Sequence, residues 1–245
     1  MSRFALIGHP VAGSLSPRLF AAAYGGRYAY DLIEGADFEA SWRRFLDGYD
    51  GINVTAPFKQ AAFRRVDRLS ETARLCGAVN LVVKGPSGLS GYNTDVDGVA
   101  LSVQEAGVAV SRALVVGCGG AGRAAAVAAL QLGCAVTVLN RTPSRAEELG
   151  AALGCGVAPL SHLADAVRAA DLVVYTVPMT LEGMDSVDLS GKVVLEANYK
   201  TPCLASAPRC TYISGLRWLL YQAVTGYQLF TGETPNLYRM SCAVV

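Results

Sequence analysis

Histidine is scarce in this chain: among 245 residues there are only His9 and His162. Seven cysteines form no CxxC pair, so soft and imidazole ligands are too few and too scattered for a transition-metal site, and no metal is expected. Their odd number, in mostly apolar or glycine-rich surroundings, argues against a disulfide scaffold and for reduced thiols. Charge of one sign is lacking too, since 21 Lys and Arg face 20 Asp and Glu for a net +1. The cations gather in no tail or stripe, so neither nucleic acid nor a membrane surface is an expected partner. Only four apolar residues separate Met1-Ser2-Arg3 from Gly8, too few for a signal peptide or a membrane span. The cytoplasm is the expected compartment, with a small molecule as partner. Monomer and homodimer both stay open.

Hydrophobic residues make up 52% of the chain, enough for one large core or two modest ones, and disorder is excluded. The first stretch alternates β-rich and helical runs: Phe4 to Ile7, a helix after Pro17, Tyr28 to Ile33, a helix from Phe38 to Leu46, then Gly51 to Thr55. Apolar runs Val79 to Val83 and Leu89 to Tyr92 lead to a helix that Thr94 can cap, ending near Gly107 and joining two domains. The pattern then resets as strand Ala113 to Val116, a glycine turn, helix Ala121 to Leu132, strand Ala135 to Leu139 and helix Pro143 to Leu153 behind a Thr142 cap. Strands at Leu172 to Thr176, Val193 to Ala197 and Thr211 to Ile213 extend this to a parallel sheet with covering helices, and Gly215 to Phe230 reads as an aromatic-rich helix.

Within that reset, Gly117, Gly119 and Gly122 of VVGCGGAG fit GxGxxG between a strand and a helix. Such glycines permit a tight turn, close backbone approach to a pyrophosphate and helix packing on the strand, while Gly120 and Ala121 open a helix whose N-terminus favours phosphate. At the end of the next strand stands Asn140-Arg141-Thr142, with no acid to bond ribose hydroxyls. Arg141 can pair with a 2′-phosphate, with Asn140, Thr142 and Arg145 as further donors, so NADP is the expected cofactor. The plainer reading keeps Thr142 as a helix cap and the arginines as solvated surface.

Four further motifs resemble the shikimate dehydrogenase family over nearly the whole chain and in order. Gly8-His9-Pro10 followed by Ser14-Leu15-Ser16-Pro17 carries the two serines that the family sets on the substrate carboxylate; Ser16 before Pro17 is equally an N-cap signature. Gly51 to Lys59 resembles the segment in which Asn53 and Thr55 line the pocket and Lys59 is the catalytic lysine. Gly77-Ala78-Val79-Asn80 and Gly91 to Gly98 imply Asn80 and Asp95 on substrate hydroxyls, with Asp95 also orienting the lysine and Asp97 given no role; a helix-terminal acid is the plainer reading of Asp95. Ser214 to Ala223 resembles the family's terminal helix, implying Gln222 on the substrate and Gly215 at the cofactor. Tyr199 is similarly implied to touch substrate. Phe20, Trp218, the turn Tyr175-Thr176-Val177-Pro178 and the shortened segment Glu196 to Pro202 depart from the family pattern.

The resemblance implies an α/β fold: an N-terminal α/β substrate domain over residues 1–97 joined by 215–245, and a Rossmann-like parallel-sheet NADP domain over 98–214, the C-terminal helix returning to the first. It also implies NADP-dependent interconversion of 3-dehydroshikimate and shikimate, with Lys59 and Asp95 at the chemistry. Quinate or an aminated shikimate is the alternative substrate, and a catalytically idle NADP or cyclic-acid binding module the alternative class.

Overall fold

The computed structural model describes residues 2–207 and 209–244. The chain divides into two compact units, one formed by residues up to Thr94 together with those from Leu220 onward, the other by Asp95–Leu219.

The first unit opens with β1 (Arg3–Gly8), α1 (Ser16–Tyr24), β2 (Ala29–Glu34), α2 (Phe38–Gly48) and β3 (Gly51–Val54). It continues through α3 (Lys59–Phe63), β4 (Arg68–Leu69), α4 (Glu71–Cys76), β5 (Leu81–Gly85) and β6 (Gly88–Tyr92). The strands form one sheet in the order β2-β1-β3-β5-β6-β4. β1 pairs in parallel with β2 and β3, whereas β5 and β6 run as an antiparallel hairpin against β3. Burial explains the strands: Ala5, Ile7, Ile33, Ile52 and Val54 join Trp42, Phe45 and Phe58 in one core cluster. A second packing layer is aromatic. Phe20 stands 4.7 Å from Tyr227, 4.8 Å from Tyr30 and 5.4 Å from Phe4, ring centre to ring centre. The family departure at Phe20 is therefore a core substitution, 1% exposed. Asp37 caps α2 by accepting from the Glu39 and Ala40 N–H groups.

The second unit holds α5 (Asp95–Glu105), β7 (Arg112–Val116), α6 (Gly120–Gln131), β8 (Ala135–Leu139), α7 (Pro143–Leu153) and β9 (Gly156–Ala158). Then come α8 (Leu163–Ala169), β10 (Leu172–Tyr175), β11 (Val193–Glu196) and β12 (Thr211–Ser214). All its strand pairs are parallel, in the order β12-β11-β10-β7-β8-β9. Counted from β7, that is the doubly wound 3-2-1-4-5-6 order, reversing between β7 and β10, the place where such sheets bind ligands at their carboxyl ends. Leu114, Val116, Leu139, Val173, Tyr175 and Val194 centre its core. The last helices are α9 (Gly215–Thr231) and α10 (Leu237–Val244), the latter packed on α1.

The expected strands and long helices are found, and the fold is α/β, with the parallel sheet expected of the second unit and a mixed one in the first. Two expected caps are corrected. Ser16 is not an N-cap but the first residue of α1; the cap position is Leu15, which gives no side-chain bond, because Ser14 Oγ already accepts the Ser16 N–H at 3.2 Å. Thr142 does occupy the N-cap of α7, yet its hydroxyl makes no capping bond; the Arg145 N–H is satisfied by the Thr142 carbonyl oxygen at 3.2 Å. All seven cysteines are free. Among the described residues no helix is long and apolar enough to cross a membrane, and no group of three metal-ligating side chains gathers.

Candidate active site

In the second unit the glycine turn leaves the end of β7 and runs into α6. Gly117 has φ +101°, a conformation L side chains rarely adopt, and a Cβ on it would meet Thr176 Oγ1 at 2.5 Å. A Cβ on Gly122 would lie 1.8 Å from the Gly117 carbonyl oxygen, so glycine there is what lets helix and turn touch. Gly119 differs: its backbone is extended at φ −74° and a Cβ would meet no atom within 4 Å. No steric demand of the protein itself requires glycine at that point. Gly120 and Ala121 form the first turn of α6, which no side chain caps. A Cβ on Gly215 would lie 2.4 Å from the Ala197 carbonyl oxygen, a packing reason for that glycine.

Asn140 braces this turn. Its Oδ1 accepts the Cys118 N–H at 3.2 Å and its Nδ2 donates to the Thr142 carbonyl oxygen at 3.0 Å. Its side chain therefore joins the glycine turn to the loop after β8, an ordering task beyond ligand donation. A cavity of about 140 Å³ opens beside it, lined by Gly117, Asn140, Arg141, Thr142 and Arg145 on one side and Val177, Pro178, Met179 and Leu181 on another. No carboxylate lines it; two guanidinium groups do. Backbone N–H groups at a helix start, two cations and an uncommitted hydroxyl fit a dinucleotide carrying an extra phosphate. The apolar wall comes from the turn that departs from the family. Tyr175 is fully buried there, its hydroxyl donating to the Met179 carbonyl oxygen at 2.8 Å and accepting the Leu181 N–H at 2.9 Å, and burial pushes the phenol up.

The shortened segment is likewise organised. Glu196, fully buried, accepts from the Cys203 N–H, the Leu204 N–H at 3.0 Å and the Tyr212 hydroxyl at 2.9 Å. It thereby fixes the loop that carries Tyr199, which is half-buried and whose phenol burial pushes up. Asp95 begins α5 in this same unit, and Asp97 one turn-face on is pushed above the usual carboxylate range by burial, with Asp95 adding to it.

In the first unit, Asn53, Asn80, Thr94 and Gln222 are brought together. Asn53, at 6% exposure, donates from Nδ2 to the Asn80 carbonyl oxygen at 3.4 Å. Asn80 Oδ1 accepts the Thr94 N–H at 2.8 Å and Asn80 Nδ2 donates to Thr94 Oγ1 at 3.1 Å. Thr94 Oγ1 in turn lies 3.4 Å from Gln222 Oε1 on α9. Asn80 is thus largely engaged within the protein. Lys59 is the first residue of α3, half-buried, at the end of the loop from β3, and its carbonyl oxygen accepts the Val79 N–H at 3.0 Å. Thr55 stands at the start of that loop with its N–H on the Ile7 carbonyl oxygen. The Gly8 to Ser16 loop is held by Glu34, which accepts the Val11 and Ala12 N–H groups and the His9 ring at 2.8 Å. The Val11 N–H leads, with His9 and Ala12 behind it, in holding the Glu34 carboxyl below its usual range. Ser14 Oγ donates to Ser16 Oγ at 3.1 Å.

Sequence reasoning missed Glu34, Tyr30 and Glu196. Tyr30 donates to Asn53 Oδ1 at 2.7 Å. Glu34 and Tyr30 lie in no motif and their partners are distant in sequence, so only the register of β1 against β2 could have revealed them; Glu196 stands in the shortened segment, but its role as the anchor of that loop is visible only in the structure.

Comparison with known proteins finds relatives over nearly the whole chain. A family model described as the shikimate dehydrogenase substrate binding domain matches residues 6–82, and one described as shikimate / quinate 5-dehydrogenase matches residues 100–181. The shikimate dehydrogenase (NADP(+)) of Acidiphilium cryptum is 37% identical, over 97% of this chain and 95% of that protein. The structure of shikimate 5-dehydrogenase from Thermus thermophilus in complex with NADP(H) and shikimate superposes with a TM-score of 0.85 at 31% identity, over 100% of this chain and 98% of that one. A quinate dehydrogenase from Corynebacterium glutamicum in complex with NAD superposes with a TM-score of 0.87 at 30% identity, over 99% of this chain and 98% of that one. With near-complete coverage at these identities, and with motif order and both sheets in agreement, the chain belongs to the shikimate dehydrogenase family.

Proposed function

We propose that this protein is an NADP-dependent oxidoreductase that interconverts 3-dehydroshikimate and shikimate on the route to aromatic amino acids, in the cytoplasm. The observation that carries the reading is the cavity at the glycine turn, where Arg141, Arg145 and the uncapped Thr142 hydroxyl meet and no carboxylate intrudes. An NAD site would place an acid at the end of β8 to bond ribose hydroxyls; here Asn140 stands there with its amide spent on the turn. Gly117, Gly119, Gly120, Ala121 and Gly122 would hold the pyrophosphate, and Gly215 would lie at the cofactor.

Reducing a ring ketone to an alcohol requires a hydride at carbon and a proton at oxygen. NADPH held at the glycine turn would supply the hydride. Lys59, presented by the first turn of α3, donates the proton to the developing alkoxide and takes it back in the reverse direction. Asp95 accepts from a ring hydroxyl and fixes its orientation. Ser14 and Ser16 bond the carboxylate, and Asn53, Thr55, Asn80, Gln222 and Tyr199 read the remaining ring. The second unit serves as the NADP domain and the first as the substrate domain.

Replacing Lys59 tests the chemistry. Lys59→Ala should lower kcat about 10²-fold or more while the KM for shikimate changes little, as expected for loss of a general acid. A variant that turns over at the wild-type rate would remove Lys59 from the proton transfer.

A further inference from the structure

The group that orders Asn53 lies outside every motif. An amide oxygen only accepts and an amide nitrogen only donates. With Tyr30 donating to Oδ1 at 2.7 Å and Nδ2 donating to the Asn80 carbonyl oxygen at 3.4 Å, the Asn53 side chain has one orientation. Its acceptor end is turned to the phenol and one N–H to the Asn80 carbonyl oxygen, which leaves the second N–H as the donor for a ligand. Tyr30 is tied in turn to the serine loop. The Tyr30 and Tyr227 rings pack edge to face with centres 5.9 Å apart, and Tyr227 donates its proton to the Ser16 carbonyl oxygen at 3.0 Å. Ser14 donates to Ser16 Oγ at 3.1 Å.

The proton of Tyr30 is on Asn53, that of Tyr227 on the Ser16 carbonyl oxygen and that of Ser14 on the Ser16 hydroxyl. Burial pushes both phenols well above their usual range, so both keep their protons as donors.

We propose that Tyr30 is a positioning residue of the substrate site: its phenol holds the Asn53 amide oxygen and so fixes the flip that offers the remaining N–H to a ligand, which makes Asn53 select an acceptor oxygen on the ring. The proposal rests on the reading of Asn53 as a substrate residue and deepens it. It also gives the serines a resting state in which their hydroxyls bond to the network, so that an incoming carboxylate turns the Ser14 O–H away from Ser16 while Tyr30 holds Asn53 in place.

The test is Tyr30→Phe, which deletes one oxygen and keeps the ring in the aromatic layer. In nitrogen-15 NMR of the full chain, the Asn53 side-chain amide pair, assigned by its loss in Asn53→Ala, is expected to shift in Tyr30→Phe. The same pair should stay in place in Tyr24→Phe, a control that removes a phenol bonded to the Tyr227 and Glu233 carbonyl oxygens instead. In kinetics, Tyr30→Phe is expected to raise the KM for shikimate about tenfold, equivalent to ~1.4 kcal/mol, with kcat and the KM for NADP within about twofold of wild type. An unmoved amide pair overturns the proposal, and so does a fall in kcat together with a rise in both KM values, which would mark general loosening. Wild-type protein silent toward shikimate would sink the proposed function instead, leaving the amide spectra to decide the role of Tyr30.

Discussion

Gly119 and Gly122 sit in one turn yet answer to different constraints. A Cβ at Gly122 meets backbone at 1.8 Å, and backbone cannot swing aside as a side chain can. Gly122→Ala should therefore lower the melting temperature by several degrees and abolish NADP binding together. Gly119→Ala meets nothing and keeps an extended backbone, so it should melt as wild type while losing NADP affinity about tenfold or more in a fluorescence titration. A Gly119→Ala protein with wild-type affinity would remove that position from the cofactor site. The sequence made the three glycines legible as a motif, because spacing is a property of sequence. It did not separate the glycine that packs from the glycine whose Cβ would meet nothing, since that depends on the position of Thr176 and of the turn itself. Ser14 and Ser16 show the same limit. Ser16 beside Pro17 reads as a cap, but a neighbouring hydroxyl two residues earlier took the N–H first.

At the scale of elements, Asp171 ties the start of β10 to the start of β7. It accepts the Ser111 N–H and hydroxyl and the Arg112 N–H and guanidinium, all between 2.8 and 3.1 Å. Arg112 first, then Ser111, holds its carboxyl far below the usual range. A lowered folded-state pKa means the stabilisation is present above the unfolded value of about 3.9 and fades as pH falls through and below it. Asp171→Asn should thus cost about 1 kcal/mol at pH 7, read from urea midpoints, and the gap to wild type should narrow at pH 3. A gap that widens in acid would contradict this. Strands β7, β8, β10 and β11 were legible because they are buried runs of Val, Leu and Ala. The elements that escaped are short: α3, α4, β4, β9 and α8 span two to seven residues, too little for a period to declare itself. α10 escaped as well, its apolar residues serving contact with α1 rather than a motif.

For the molecule as a whole, two units built on different sheets follow from two different burial patterns. The mixed sheet of the first unit carries an antiparallel hairpin, β5 and β6, while the second is parallel throughout. The departures from the family pattern, Phe20, the Tyr175 turn and the Glu196 segment, are each internally satisfied, by rings or by hydrogen bonds. They read as alternative solutions to local packing, which argues against an idle binding module. The most direct measurement is absorbance at the reduced-nicotinamide band when purified protein meets shikimate with NADP, shikimate with NAD, and quinate with each. Rapid reduction of NADP by shikimate, far ahead of the other three pairings, is the expected result; preference for NAD, or silence in all four from folded protein, would contradict the account.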